Sequence, residues 1–288
     1  MTFLRSLTLG TALASGLAAG ASAEDVTIRY LTSQGGLSAH ELASELGYFD
    51  GTGITFDNLG YASGGPETLM GLAGGSLDLA SAATPAVLNS IAGGNDFVIA
   101  YATNGINDDV QSIFYVLDDS PIQSIEDIGG KTIAVNTLGA HLDYTVREAL
   151  RQKGLPKDAA NLVVVPGPQL EQVLRAGQVD VAAFGYWQTT FEGAAREHGG
   201  IRPVFDDTDV LGEIAGGFVA LRRDWVEAHP EAAQIFVAQS ARALDHAREH
   251  PEETKAILAK ALEERGENPA VAQYFRGYGV REGGLPVK

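Results

Sequence analysis

The chain has 288 residues, which is long enough for one large or two medium domains with their own hydrophobic cores. It contains no cysteine, which excludes disulfides, thiolate metal ligands, a cysteine nucleophile and a lipidated cysteine anchor. With 37 acidic and 20 basic residues, the formal net charge of −17 argues against nucleic-acid binding, which needs a basic surface.

The first 23 residues have the pattern of a cleaved export signal. One cation, Arg5, precedes an apolar stretch of small residues, and the triplet at 21–23 (ASA) resembles a cleavage site. A membrane anchor is the alternative, but this stretch is short for one, and no later segment has 18 uninterrupted apolar residues. We therefore expect a signal peptide at residues 1–23 and a mature periplasmic protein that starts at Glu24 and has no direct membrane anchor.

Strand and helix patterns then alternate along the chain. A strand is expected at 25–31, followed by a helix that starts with the capping box Ser38-x-x-Glu41. Thr84 and Pro85 are expected to be the N-cap and first residue of a later helix. Strands are also expected at 53–59, 97–103 and 112–117.

Two segments in this order nearly repeat each other. Residues 64–82 (GGPETLMGLAGGSLDLASA) and 166–184 (PGPQLEQVLRAGQVDVAAF) align with an offset of 102 residues. Each reads as a Gly-Pro helix start, a glycine at the helix end and a short buried strand. Chance similarity between glycine-rich connections is one explanation. Two lobes built on one plan is the other, because the offset is too long for a solenoid repeat.

A second set of elements begins with a capped turn at Ser124. A strand at 132–135, a helix with one apolar face, and strands at 161–166 and 201–205 follow, and the rest of the chain is mostly helical. Such alternation predicts an α/β fold with two mainly parallel sheets flanked by helices. We expect the chain to cross into lobe two near 119–123 and to return near 213–217, which makes a hinge and a cleft. The expected boundaries are 24–120 plus 215–288 for lobe one and 121–214 for lobe two.

Three segments resemble periplasmic substrate-binding proteins of ABC importers for nitrate, sulfonates, taurine and thiamine-precursor pyrimidines. They are 124–155 (SIEDIGGKTIAVNTLGAHLDYTVREALRQKGL), 176–194 (AGQVDVAAFGYWQTTFEGA) and 218–244 (FVALRRDWVEAHPEAAQIFVAQSARAL). The resemblance implies a two-lobed periplasmic-binding-protein fold of the type II kind that closes on its ligand like a clamshell. It also implies a monomer that delivers its small-molecule ligand to a membrane permease with a cytoplasmic ATPase.

The same resemblance implies that loops at the carboxyl ends of strands line the cleft, with helix N-termini pointing inward. Carried onto this chain, the loops are 32–38, 61–65, 82–85, 103–111, 136–143, 184–188 and 213–217. The candidate ligand contacts are Ser33, Gln34, Ser63, Gly64, Gly65, Thr84, Asn104, Gln111, Thr137, Leu138, Gly139, Ala140, His141, Tyr186 and Trp187. The triplet Tyr186-Trp187-Gln188 departs from the family pattern, which often has a proline there.

Several candidates have a purely structural alternative. Ser63, Thr84 and His141 could serve only as helix caps, and Gln111 could be an exposed residue at a strand end. Tyr186 and Trp187 could cover a ligand or could pack the two lobes together. His246 and His250 lie one helical turn apart, but without a third ligand they indicate a solvated helix face rather than a metal site.

The expected cleft loops contain no Lys or Arg, although a binder of strong anions would be expected to use one. This absence favours a zwitterionic or polar neutral solute, such as a taurine-like aminosulfonate or a nitrogen heterocycle, over nitrate or a simple alkanesulfonate.

The sequence carries none of the common motifs for a serine nucleophile, a phosphate-binding loop, a zinc protease or a dinucleotide. We therefore expect a binding protein without cofactor or metal. A periplasmic enzyme or a receptor-coupled sensor on the same fold is the alternative.

Overall fold

The computed structural model describes residues 25–285, so the predicted signal peptide lies outside the described residues. The strands are β1 (Val26–Thr32), β2 (Ile54–Tyr61), β3 (Leu79–Ala83), β4 (Phe97–Ile106), β5 (Ile113–Leu117), β6 (Thr132–Val135), β7 (Asn161–Val164), β8 (Val181–Phe184), β9 (Ile201–Asp206) and β10 (Ile214–Arg222). The helices are α1 (Ala39–Glu45), α2 (Gly65–Ala73), α3 (Thr84–Ala92), α4 (His141–Gln152), α5 (Leu170–Arg175), α6 (Thr189–Glu197), α7 (Asp207–Leu211), α8 (Arg223–Ala228), α9 (Pro230–Glu249) and α10 (Pro251–Glu264).

The strands form three sheets. Strands β1 and β2 pair in parallel, a second sheet has the order β3-β10-β4, and a five-stranded sheet has the order β7-β6-β8-β5-β9. Strand β10 is antiparallel to both of its neighbours, and so is β5. Pairing is therefore mixed rather than mainly parallel. Strands β5 and β10 each enter their sheet from the other part of the chain, so no βαβ crossover forces them to run parallel.

The chain crosses between sheets earlier than the sequence predicts. Strand β4 ends at Ile106 in the three-stranded sheet, whereas β5 already pairs with β8 and β9 from Ile113 onward. The first crossing is thus at 107–112 and not near 119–123. Helix α7 still packs against α4, with Val210 in the same buried cluster, so the chain returns after Leu211, at 212–213, next to the predicted position. A strand pattern at 112–117 is visible in the sequence, but a local pattern does not reveal which sheet the strand joins.

The C-terminal helices cover the first part of the chain, as expected. Phe236 of α9 and Leu258 of α10 are fully buried in one cluster with Ile28 of β1 and Leu42 of α1. Each such side chain contributes about 2 kcal/mol through removal of its surface from water. No helix within the described range has the length and apolarity needed to cross a bilayer.

Helix α4 has the predicted apolar face. Leu142, Val146 and Leu150 are buried against one face of the five-stranded sheet, together with Phe114 and Ile133. A separate cluster covers the other face of that sheet. Helices on both sides of the sheet therefore position the loops at its carboxyl edge.

The two repeated segments have equivalent structures. Gly75 and Gly177, which follow α2 and α5, have φ angles of +75° and +64°, a conformation that favours glycine. The carboxylate of Asp78 accepts the backbone N–H of Arg29 at 3.1 Å, and that of Asp180 accepts the N–H of Thr132 at 2.8 Å. The shared aspartates thus attach each copy to the first strand of its own set. This common contact explains why the aspartate occurs in both repeated segments.

Candidate functional site

A cavity of about 350 Å³ lies where loops from all three sheets meet. Its walls come from the carboxyl ends of β1, β2, β3 and β4 on one side and of β6, β7 and β8 on the other. Loops at these positions are the usual ligand-binding positions of open α/β sheets. The cavity is therefore the candidate site, and its volume suits a small molecule.

Nine of the predicted contacts line this cavity. They are Ser33, Gln34, Ser63, Gly64, Gly65, Asn104, Ala140, Tyr186 and Trp187. The residues that lie outside its lining are Thr84, Gln111, Thr137, Leu138, Gly139 and His141.

Besides His141, three of the residues outside the lining have polar contacts that explain their position. The hydroxyl of Thr84 donates to the carbonyl of Ala215 at 2.6 Å, and the N-cap of α3 is Ala83, so the prediction of Thr84 as N-cap is wrong. The side-chain amide of Gln111 donates to Asp206 at 3.2 Å. Gly139 has a φ of +72° and donates its N–H to Asp143, which shapes the turn before α4.

His141 is fully buried behind the cavity wall. Its Nε2 lies 2.7 Å from Oδ2 of Asp207, whose other carboxylate oxygen accepts the N–H of Ser112 at 3.0 Å. Ser112 in turn accepts the backbone N–H of Tyr186 through its hydroxyl oxygen. This network joins Ser112 and the first residue of α7 to the loop after β8, so it positions Tyr186 in the cavity wall. Nδ1 of His141 is buried and has no hydrogen-bond partner among the described residues.

Aromatic rings form part of the wall. The Tyr186 ring packs edge-on against Trp187, with centroids 4.8 Å apart, and against His141 at 5.2 Å. A Cβ atom at Gly185 would lie 2.5 Å from the Trp187 ring, so only glycine permits this fold of the loop. Burial, with a smaller effect of Asp207, raises the pKa of Tyr186 well above its usual value. Its hydroxyl therefore stays protonated at neutral pH.

Sequence reasoning missed several lining residues, among them Asn136, Gly167, Gln188 and Phe191. The sequence repeat contained a signal for one of them, because Gly167 is the counterpart of Gly65, which had been assigned to the cleft. Asn136 follows strand β6 directly and lies in a loop that was assigned to the cleft. No sequence signal distinguishes Phe191, which reaches the cavity from the first turn of α6.

The lining contains no strongly charged side chain. Its members all fall within the described range, and none of them is Lys, Arg, His, Asp or Glu. A carboxylate lies just behind the wall at Glu67, which accepts the hydroxyl of Ser63 at 2.6 Å and its N–H at 2.7 Å. These hydrogen bonds lower the pKa of Glu67, so it is negative at neutral pH. Within residues 25–285, no cluster of three or more acidic or histidine side chains could hold a metal.

Three solved structures illustrate the fold that this chain shares with known proteins. The alkanesulfonate-binding protein SsuA from Xanthomonas axonopodis pv. citri, bound to MOPS, is 22% identical with a TM-score of 0.69, over 87% of this chain and 83% of its own. The nitrate-binding protein NrtA from Synechocystis PCC 6803 is 16% identical with a TM-score of 0.65, over 88% and 72%. A Candida albicans protein with the generic periplasmic binding protein fold is 15% identical with a TM-score of 0.63, over 86% and 78%.

These likenesses show that the chain has the periplasmic-binding-protein fold. No curated protein sequence matches it significantly. The model of the family described as NMT1/THI5 like matches residues 39–254, which is most of the chain. The protein therefore belongs to the NMT1/THI5-like family.

Proposed function

We propose that the protein is the solute-binding component of an ABC importer. It captures a small polar solute, zwitterionic or uncharged, and delivers it to a membrane permease with a cytoplasmic ATPase. The observation that carries this proposal is the cavity of about 350 Å³ with walls from separate sheets. The sulfonate-binding and nitrate-binding proteins of the same fold support it.

Closure of two lobes is the proposed capture mechanism. The lobe that contains the five-stranded sheet spans about residues 113–211, because α7 packs in the same buried cluster as α4, and the rest of the described chain forms the other. Side-chain hydrogen bonds also join the lobes. The hydroxyl of Thr190 donates to the carbonyl of Gly35 at 3.0 Å, and the amide of Asn89 donates to the hydroxyl of Tyr144 at 2.7 Å. A ligand that contacts both walls would stabilise the arrangement in which the two lobes are held together.

The cavity supports binding without chemistry. Its lining, all within the described residues, provides no carboxylate, imidazole, thiol or amine that could act as base or nucleophile. The buried His141 contacts Asp207 instead of the cavity. An N-terminal signal peptide, periplasmic location and a monomeric state belong to the same proposal, because a carrier of this kind must diffuse to its permease.

The test is a ligand screen by thermal shift and calorimetry with taurine, alkanesulfonates, nitrate and pyrimidines. We expect at least one of them to raise Tm, to compact the protein in small-angle scattering and to be recovered unchanged by mass spectrometry. Lack of binding and of compaction with every compound would refute the proposal. A new product would identify an enzyme instead.

A variant of the aromatic wall tests the location of the site. We expect Trp187→Ala to weaken binding of that ligand by about 1–3 kcal/mol, since a large ring contact is lost. Leu138→Ala is the matched control, because Leu138 is 49% exposed on a neighbouring loop and does not line the cavity. Equal affinities of the two variants would place the ligand elsewhere.

A further inference from the structure

The loop after β1 contains a tight turn at residues 33–36. Its ends are joined by a hydrogen bond from the N–H of Gly36 to the carbonyl of Ser33 at 3.4 Å. Ser33 and Gln34, in the first half of the turn, line the cavity. Gly35 follows with a φ of +68°, a conformation that favours glycine, and it is buried. The turn therefore has one side toward the cavity and one side packed inside the protein.

The buried side of the turn contacts the other lobe. The hydroxyl of Thr190, in the first turn of α6, donates to the carbonyl of Gly35 at 3.0 Å, and Thr190 is 1% exposed. A Cβ atom at Gly35 would lie 2.5 Å from the Phe191 ring and 2.8 Å from the hydroxyl oxygen of Thr190. Only a residue without a side chain therefore lets the two lobes meet this closely. Phe191 also lines the cavity, so this contact between the lobes adjoins the candidate site.

The segment that follows α10 fixes the turn from within its own lobe. The N–H of Gly35 donates to Glu267 at 2.6 Å, and the guanidinium of Arg265 donates to the carbonyl of Gly36 at 2.6 Å. Arg265 and Glu267 also form an ion pair with each other at 3.2 Å. The peptide groups before and after the one that contains the Gly35 carbonyl are thus held in place. This carbonyl therefore keeps its direction toward Thr190.

The hydrogen bond from Asn89 to Tyr144 also joins the lobes, but its surroundings differ. Asn89 is exposed, whereas Thr190 and Gly35 are both buried. Water can replace a lost partner at an exposed position, so such a hydrogen bond contributes little. A buried donor and acceptor have no such replacement. The contact at the 33–36 turn is therefore the stronger of the two.

We propose that the 33–36 turn is the latch that holds the two lobes together around a ligand, with Arg265 and Glu267 as its positioning residues. The hydrogen bond from Thr190 forms only when the lobes approach, because its acceptor belongs to the other lobe. A ligand in the cavity contacts the first half of the same turn, so binding and closure act on one short segment. The inference rests on the proposed solute-binding function and deepens it by identifying the residues that retain the ligand.

Distances between spin labels on the two lobes test the inference. The protein has no cysteine, so Met70→Cys on α2 and Gln172→Cys on α5 introduce unique labelling sites. Both residues are exposed, and they lie in the two repeated segments, whose glycines Gly65 and Gly167 line opposite walls of the cavity. Double electron–electron resonance then resolves a short distance for joined lobes from a longer one for separated lobes. The samples are ligand-free or contain taurine, methanesulfonate, nitrate or uracil.

We expect the native protein to show the short distance in at least one of these samples. In that sample, Thr190→Val should raise the ratio of long to short distances at least threefold, because it removes the donor and keeps the side-chain shape. Thr190→Ser should restore the native ratio. Glu267→Ala should also raise the ratio, and the double variant should show no more than the larger single effect, since both residues act through one hydrogen bond. Asn89→Ala is the control and should leave the ratio unchanged.

A native protein that shows only the long distance in every sample would overturn the inference. So would a Thr190→Val variant with the native ratio, or an Asn89→Ala variant that separates the lobes as much as Thr190→Val does. Thermal unfolding shows that each variant is folded. Binding in the earlier ligand screen with an unchanged ratio in Thr190→Val would remove the latch and leave the solute-binding function intact. Failure of that screen would remove the function, whatever the ratio.

Discussion

His40, the second residue of α1, is enclosed by aromatic rings. It is 1% exposed, with ring centroids 4.6 Å from Tyr30, 5.2 Å from Phe56 and 6.0 Å from Phe236. Desolvation lowers its pKa to about 4, although the nearby Glu41 opposes this shift. The sequence identified the capping box on both sides of His40, which the structure confirms, but it did not indicate this burial.

The low pKa of His40 predicts that the folded protein loses stability in mild acid. An unfolded histidine titrates near pH 6.5 and the folded His40 near pH 4, so the unfolded state binds more protons in this interval. The contribution of neutral His40 to the free energy of unfolding is therefore complete above pH 6.5. It is lost as the pH falls to 4, and the loss amounts to about 3 kcal/mol. Urea unfolding at several pH values, with His40→Phe as control, measures this difference. Identical pH dependence of the two proteins would contradict it.

Gly65 shows which part of a residue's role can be predicted before the fold is known. The sequence predicts Gly65 as a ligand contact, and the residue lines the cavity. In the structure a Cβ atom at Gly65 would lie 2.7 Å from Ala82, so its small size also allows α2 to pack on β3. The position was predictable from the helix start, whereas the contact was not, because it joins two different elements.

At the scale of elements, Asp78 and Asp180, which the two repeated segments share, have the same role but different surroundings. Asp78 is 4% exposed and also forms an ion pair with Arg29 at 2.8 Å. Asp180 is exposed and holds the N–H of Thr132. The same residue type in the same local structure therefore has different partners in the two copies.

We expect these two positions to differ in stability. Asp78→Ala should cost about 3 kcal/mol in unfolding free energy, because it leaves a partly buried guanidinium and a backbone N–H without their acceptor. Asp180→Ala should cost about 1 kcal/mol or less, since water can replace the lost acceptor. Chemical denaturation of both variants makes the comparison. Equal losses would show that burial does not decide the value of this contact.

Most element positions were predictable, with boundaries within a few residues. The strand at 132–135 and the capped turn at Ser124 occur where the pattern placed them, because periodicity and capping depend on neighbours close in sequence. The sheet to which β5 belongs was not predictable. Its five residues would suit either sheet, and only the pairing of Ile113 with Phe184 and Asp206 decides between them.

At the scale of the whole molecule, the C-terminal segment connects the two parts of the chain a third time. The turn Pro269–Tyr274 packs on α6, and Arg276 forms an ion pair with the buried Glu192 of that helix. Tyr278 then returns and donates its hydroxyl to the carbonyl of Leu37 at 2.7 Å. The sequence pattern predicts only two crossings and does not indicate this third connection.

Breaking the ion pair should destabilise the folded protein. Arg276→Leu leaves the Glu192 carboxylate buried, with a hydrogen bond from Tyr115 but with its remaining cation, Arg196, 3.9 Å away. We expect a cost of about 3 kcal/mol or more, because an unpaired buried charge is expensive. Adding Glu192→Gln to this variant should restore part of the loss in urea unfolding. If the double variant is less stable than the single one, the buried charge is not the cause.

The sequence by itself determined the alternation of strands and helices, the internal repeat and the scarcity of cations around the cleft. These features follow from residues a few positions apart or from composition alone, so they need no knowledge of packing. The tertiary structure decided which residues distant in sequence meet and which sheet each strand joins. Gly35 and Glu267 are separated by 232 positions, and Arg276 and Glu192 by 84. Such contacts form only when the intervening elements have packed, so no local sequence pattern predicts them.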